Sequence, residues 1–222
     1  MTMPLDAARL HVFSDFDGTI TEQDTLVFLA TRLGLGPDGF RESERLLREG
    51  RLTAREVIAR DVGSIRAPFA EAAALLRAQV GIDPGFPPFA RWCAARGIPL
   101  TVLSAGLEEI VGLYLPPQEF PGLEVRANRL RPGTWECCFR DDSPDGHDKA
   151  AALREARQRG RQTVLVGDGI SDEAPAGAAD LVFARRGRPL AEHCRRRGIA
   201  CEEYESFHDV LSGLSARLGP FR

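Results

Sequence analysis

Lysine is almost missing from this 222-residue sequence: of its 29 basic residues all but Lys149 are arginine. Arginine is a broad planar fork and lysine a compact point charge, so a solitary lysine raises the question of what arginine could not do at that position. Strong charge of either sign is also missing. A formal net charge of −3 gives no electrostatic basis for broad attraction to nucleic acid or an anionic membrane surface. No apolar run is long enough to span a bilayer, and the N-terminus lacks a basic segment followed by an apolar one, so neither a membrane span nor a secretion signal is expected. Cysteine is sparse, five residues without regular spacing, which fits a reducing compartment and a cytoplasmic protein. No internal repeat stands out. What remains is a chain with 43% apolar residues, enough for one large domain or a domain plus a small insertion.

The most informative stretch is Arg9 to Thr21, R-L-H-V-F-S-D-F-D-G-T-I-T. An apolar run containing Val12 and Phe13 has the character of a buried strand and stops abruptly at Asp15. Asp17 follows, then Gly18, which permits a tight turn. One such Asp would be read as a cap for a turn or helix. Two at a strand tip repel each other unless something cationic compensates. The carboxyl ends of parallel strands are also where ligands bind.

From Glu22 to Val80 nothing reads as a strand. Helices are expected over 22–33 and 39–49, from the capping box of Thr53 and Glu56, and from Pro68 with Phe69, Ala72, Ala73, Leu76 and Val80 on one face. This predicts an all-helical insertion. After it come a helix from Asp83, a strand over 98–103 ending in Ser104-Ala105-Gly106, and a helix broken by Pro116 and Pro117. A hairpin around Pro132-Gly133 follows, then a helix opened by Asp148 and Lys149, and a strand over 163–166 ending in G-D-G-I-S-D. Two further strands, over 181–183 and near Ile199, and helices over 189–197 and from Ser206 complete an alternation that implies a parallel sheet covered on both faces.

If the three apolar strands are neighbours, Asp15, Asp17, Ser104, Asp168 and Asp172 gather at one sheet edge. Lys149 opens a helix, so its ammonium and the positive helix end can point the same way. Carboxylates suit a hard divalent cation, most simply Mg2+, while Lys149, the Ser104 hydroxyl and backbone N–H groups suit a phosphoryl group. Together these are the requirements of phosphoryl transfer.

D-F-D-G-T, the strand ending in Ser104, the helix-opening Lys149 and G-D-G-I-S-D resemble, in order, the four motifs of the haloacid dehalogenase superfamily. The helical insertion looks like the C1-type cap of its phosphoserine-phosphatase-like subgroup. The resemblance implies an α/β fold: a Rossmann-like parallel sheet with helices on both faces, in residues 1–21 and 88–222, and a helical cap in residues 22–87. It implies Asp15 as a nucleophile that forms an aspartyl phosphate, and Asp17 as general acid and then base. Ser104 and Lys149 would hold the phosphoryl group. Asp15, the Asp17 carbonyl and Asp168 would be Mg2+ ligands, with Asp172 beside them. Asp24, Ala105 and Gly106 would line the substrate site. The partner implied is a small phosphorylated metabolite.

The C-terminal segment from Phe183 to Val210 and Asp24 resemble the methionine-salvage phosphatase acting on 2-hydroxy-3-keto-5-methylthiopentenyl-1-phosphate. The run G-H-D-K-A and Ala105 depart from that pattern. Phosphoserine phosphatase, a phosphotransferase or mutase, and a non-catalytic phosphate-binding protein are the alternatives.

Other signals carry less. Adjacent Cys137 and Cys138, with His147 nearby, lack the spacing of zinc ligands and read as buried small residues. Arg185-Arg186, Arg195 to Arg197 and the arginines of the insertion read as solvated faces.

Overall fold

A computed structural model describes residues 5–218. Strand β1 (Leu10–Ser14) leads into four helices, α1 (Thr25–Leu33), α2 (Gly36–Arg48), α3 (Ala54–Gly63) and α4 (Phe69–Gln79). These are followed by α5 (Phe86–Ala95), β2 (Leu100–Leu107), α6 (Glu108–Tyr114), β3 (Glu124–Leu130) and β4 (Cys137–Cys138). Then come α7 (Lys149–Gln158), β5 (Gln162–Gly167), a 3-10 turn (Ile170–Asp172) and α8 (Glu173–Ala178). The last elements are β6 (Leu181–Arg185), α9 (Pro189–Arg197), β7 (Cys201–Tyr204) and α10 (Phe207–Leu218).

The strands form one seven-stranded sheet in the order β4-β3-β2-β1-β5-β6-β7. All pairings are parallel except the short β3–β4 hairpin, where Leu130 faces Cys137. The alternation along β1 shows why both faces must be covered: Leu10 and Val12 join one apolar cluster and Phe13 the other. The first cluster takes Phe86 and Phe89 of α5, Ile110 of α6 and Phe207 of α10. The second takes Leu153 of α7, Ala176 of α8 and Leu190 of α9. The fold is therefore the expected α/β sandwich, and β1 lies at its centre between β2 and β5.

Helices α1 and α3 start at side-chain caps. Asp24 accepts a hydrogen bond from Val27 N (2.9 Å), and Thr53 and Glu56 form the expected capping box. Helix α3 docks on the loop that leads to α7. Arg55 N donates to Pro144 O (2.8 Å), its guanidinium donates to Asp141 O and stacks 4.1 Å from the Phe139 ring centre. The indole of Trp135 donates to Ala67 O (2.7 Å), just before α4.

Several local expectations need correction. Strand β2 runs on to Leu107 instead of ending at Leu103, because an irregularity in its pairing with β3 between Leu103 and Leu107 carries Ser104, Ala105 and Gly106 inside the strand. The last strand lies at Cys201–Tyr204, beyond Ile199. Cys138 is exposed and Cys137 half-buried, since on a two-residue edge strand side chains alternate between core and solvent. Arg55 and Arg185 are only partly solvated, since both donate to backbone carbonyls.

Candidate active site

The tips of β1 and β5, the irregular stretch of β2 at Ser104 to Gly106 and the start of α7 converge, because β1 is bonded to both other strands and α7 follows the segment after β4. Lys149 is 2% exposed and stands among the acidic tips. Its Nζ donates to Asp15 Oδ1 (2.6 Å), Asp172 Oδ1 (2.9 Å) and Ser171 Oγ (2.9 Å). An arginine fork would not fit three partners packed this closely around one nitrogen.

The other groups are held as tightly. Asp17 Oδ1 accepts from Thr25 N (2.8 Å) and Thr25 Oγ (2.5 Å), and Ser104 Oγ donates to Asp17 Oδ2 (3.4 Å). Ser104 Oγ in turn accepts from Gly106 N (2.8 Å). A Cβ on Gly106 would sit 2.8 Å from Asp17 Oδ2, so only glycine lets β2 pass this close. Asp172 Oδ2 accepts from the backbone N–H groups of Asp168 and Gly169 (3.1 Å each). Thr19 Oγ donates to Asp168 Oδ1 (3.2 Å), and Arg188 Nε lies 3.2 Å from Asp168 Oδ2. Gly18 makes the turn after β1 with φ +76°, and a Cβ there would meet Asp168 Oδ2 at 2.6 Å.

Burial and crowding set the charges. Burial first, and then Asp172, push the Asp15 carboxyl well above the usual range, against the pull of Lys149. Burial raises Asp17 as well, opposed by the Thr25 hydrogen bonds. Asp168 is pushed up to about 6 by burial and Asp172, with Arg188 opposing. Burial alone would lower Lys149, but Asp15 and Asp172 outweigh it and hold the ammonium charged. Ligand atoms of Asp15, Asp168 and Asp172 all lie within 4.8 Å of one another. Four carboxylates against the Lys149 ammonium and the Arg188 guanidinium, with hard oxygen donors this close together, fit a divalent cation of the Mg2+ kind.

The structure thus brings together Asp15, Asp17, Ser104, Lys149, Asp168 and Asp172. Asp24, Ala105 and Gly106 line the same cavity, of about 440 Å3, which extends up to α2 and α3. Among the described residues the Asp24 carboxylate is bonded only by its own helix. The Ala105 carbonyl is fixed by Asn128 Nδ2 (2.7 Å).

Sequence reasoning missed four supporting residues. Thr25 anchors Asp17. Ser171, inside the G-D-G-I-S-D motif, is the third partner of Lys149. His147 is buried, its Nδ1 facing Ser104 O at 3.1 Å, and burial lowers its pKa. Arg185 donates to Gly18 O (2.7 Å) and Thr19 O (3.2 Å) and is itself backed by Asp83 (3.4 Å), so it holds the turn behind Asp17. Only for Ser171, by its place in the motif, was a signal present.

The sequence profile of haloacid dehalogenase-like hydrolases matches residues 12–174. The chain is 34% identical to Pdp3-interacting factor 1 of Schizosaccharomyces pombe, over 93% of this chain and 95% of that protein. It is 27% identical to the polyol phosphate phosphatase PYP1 of Saccharomyces cerevisiae, covering 91% of each. With the 2-hydroxy-3-keto-5-methylthiopentenyl-1-phosphate phosphatase of Geobacillus kaustophilus it shares 29% identity, over 93% of this chain and 96% of that one. Among solved structures, a substrate-bound phosphoserine phosphatase superposes with a TM-score of 0.73 at 21% identity, covering 92% and 98% of the two chains. That likeness is one of fold.

Proposed function

The chain belongs to the haloacid dehalogenase-like hydrolase family, and from there we propose that it is a Mg2+-dependent phosphomonoesterase of small phosphorylated metabolites that works through an aspartyl phosphate. The observation that carries this reading is the buried meeting of Lys149 with Asp15 and Asp172, with Asp168 close enough to share a cation.

Asp15 attacks phosphorus, and the bond from phosphorus to the leaving oxygen breaks. Asp17 gives its proton to that oxygen, and its raised pKa keeps a proton available for the task. Thr25 fixes one Asp17 oxygen and leaves the other on the Ser104 side of the site. In the second half Asp17 takes a proton from water, the water oxygen attacks phosphorus, and Asp15 leaves as carboxylate with inorganic phosphate released. Lys149 holds Asp15 in place and offsets the negative charge brought by the phosphoryl group. Asp15, Asp168 and the Asp17 carbonyl would hold Mg2+, with Asp172 beside them, and the bound cation would supply charge neutralisation on the phosphoryl oxygens. Residues 22–87 act as a cap that walls the site from bulk water and excludes large substrates.

The names of two relatives, a polyol phosphate phosphatase and the methylthiopentenyl phosphate phosphatase, support a small phosphate ester as substrate. The methionine-salvage ester and polyol phosphates are the candidates they bring. The test is hydrolysis of p-nitrophenyl phosphate with Mg2+. Asp15→Asn and a chelator should each abolish it, and undiminished turnover after either would remove the proposal.

A further inference from the structure

The cavity above the candidate phosphate site has a second wall, supplied by α2 and α3. Phe40, Val57 and Ile58 give it an apolar surface, and Glu44 and Asp61 give it charge. Around the whole cavity stand seven carboxylates and a single basic side chain, Arg188. Arg188 belongs to the opposite wall and faces Asp168. Lys149 and a cation would answer the carboxylates at the floor. No basic side chain of the described lining answers Glu44 and Asp61, since Arg60, which attracts Asp61, does not line the cavity.

Asp61 is the unusual member. It is 7% exposed, and its Oδ1 accepts a hydrogen bond from the fully buried Ser43 (2.7 Å). Among the described residues nothing donates to its Oδ2. That oxygen is not sealed in the interior, and Asp61 lines the cavity, so it is available to accept a hydrogen bond from a ligand. The Ser43 bond ties α2 to α3 and fixes where the free oxygen sits.

We propose that this wall reads the leaving group of the substrate. Asp61 and Glu44 accept hydrogen bonds from hydroxyls on the leaving alcohol, Phe40, Val57 and Ile58 take its carbon skeleton, and an alcohol that carries a carboxylate is turned away. The inference rests on the phosphomonoesterase reading above. A hydroxyl is a donor that meets both acceptors, whereas a carboxylate offers only acceptors and like charge. Like charges brought together at a contact are strongly discriminated against, and a site built to bind a hydroxyl rejects the analogue that lacks it.

Glycerol 3-phosphate and 3-phosphoglycerate make the matched test, since they differ at the far carbon by a hydroxymethyl against a carboxylate. With Mg2+ the protein should turn over the first with a kcat/KM at least about 100-fold higher, equivalent to about 2.7 kcal/mol. Asp61→Asn keeps an acceptor for Ser43 but puts an N–H donor where Oδ2 was. The ratio should then fall about tenfold, mainly through KM. Glu44→Gln, at an exposed helix position, should move it the same way and serves if the first variant does not fold. A wild-type ratio near one, a preference for 3-phosphoglycerate, or a ratio unmoved in the folded variants would overturn the inference. So would O-phosphoethanolamine as the best substrate of the panel, because the wall would then be reading an ammonium. p-Nitrophenyl phosphate is run alongside: if the wild type leaves it intact, the phosphomonoesterase reading fails and takes this inference with it. If it is hydrolysed while the ratio is flat, only the inference fails.

Discussion

Lys149→Met removes the one positive charge that, among the described residues, lies in contact with Asp15 and Asp172. Its Nζ is 2.6 Å from Asp15 and 2.9 Å from Asp172, with side-chain exposures of 2%, 6% and 0% in that order. In the variant the Asp15 carboxylate has two options. It stays ionised without its partner, and breaking a buried pair in this way costs about 3–5 kcal/mol. Or it takes up a proton, at about 1.36 kcal/mol for each pH unit above its ordinary value of 3.8. At pH 7.5 the second route costs about 5 kcal/mol, and at pH 5.5 about 2.3 kcal/mol. The cheaper route sets the loss, so the variant should be destabilised by about 3–5 kcal/mol at pH 7.5 and by about 2 kcal/mol at pH 5.5. The sign follows from a carboxyl whose folded pKa lies above its unfolded one: the favourable contribution is present at low pH and is lost as pH rises through the folded value. Urea unfolding of both proteins in chelator, followed by circular dichroism at the two pH values, measures the difference. A loss below about 1 kcal/mol at pH 7.5, or one that does not shrink at pH 5.5, would refute the reasoning that Asp15 and Asp172 depend on Lys149.

Proton and cation compete for Asp168. With its carboxyl pushed up to about 6, Mg2+ binding measured by calorimetry should weaken as pH falls through that value. The weakening should approach about tenfold per pH unit below it, and a flat profile from pH 7.5 to 5 would contradict this. Thr25→Val removes the hydroxyl bond to Asp17 and keeps the backbone one. Because that hydroxyl holds the Asp17 pKa down, the kcat–pH profile on p-nitrophenyl phosphate should shift upward and kcat should drop about tenfold with KM nearly constant. An unchanged profile would count against Asp17 as the proton donor.

The sheet was legible because buried parallel strands are apolar runs, and such a run that stops at Asp15 or Asp168 announces a strand tip. The capping box at Thr53 was legible for the same local reason. Arg185 was not, because its partners are the carbonyls of Gly18 and Thr19, and a main-chain acceptor leaves no trace in the side-chain pattern. Thr25 opens a helix, where a threonine is unremarked until the fold sets it against Asp17. The extension of β2 to Leu107 was hidden for another reason: small residues at a strand irregularity look the same in sequence as small residues in a loop. The wall made by Asp61 and Glu44 depends on how α2 and α3 lie over the sheet, which periodicity alone does not determine.

Arg55 joins two parts of the molecule that are far apart in the chain. Its backbone and guanidinium clasp the segment from Phe139 to Pro144, and that segment runs directly into the residue that grips Asp15. Lifting α3 therefore means unclasping the leash of Lys149.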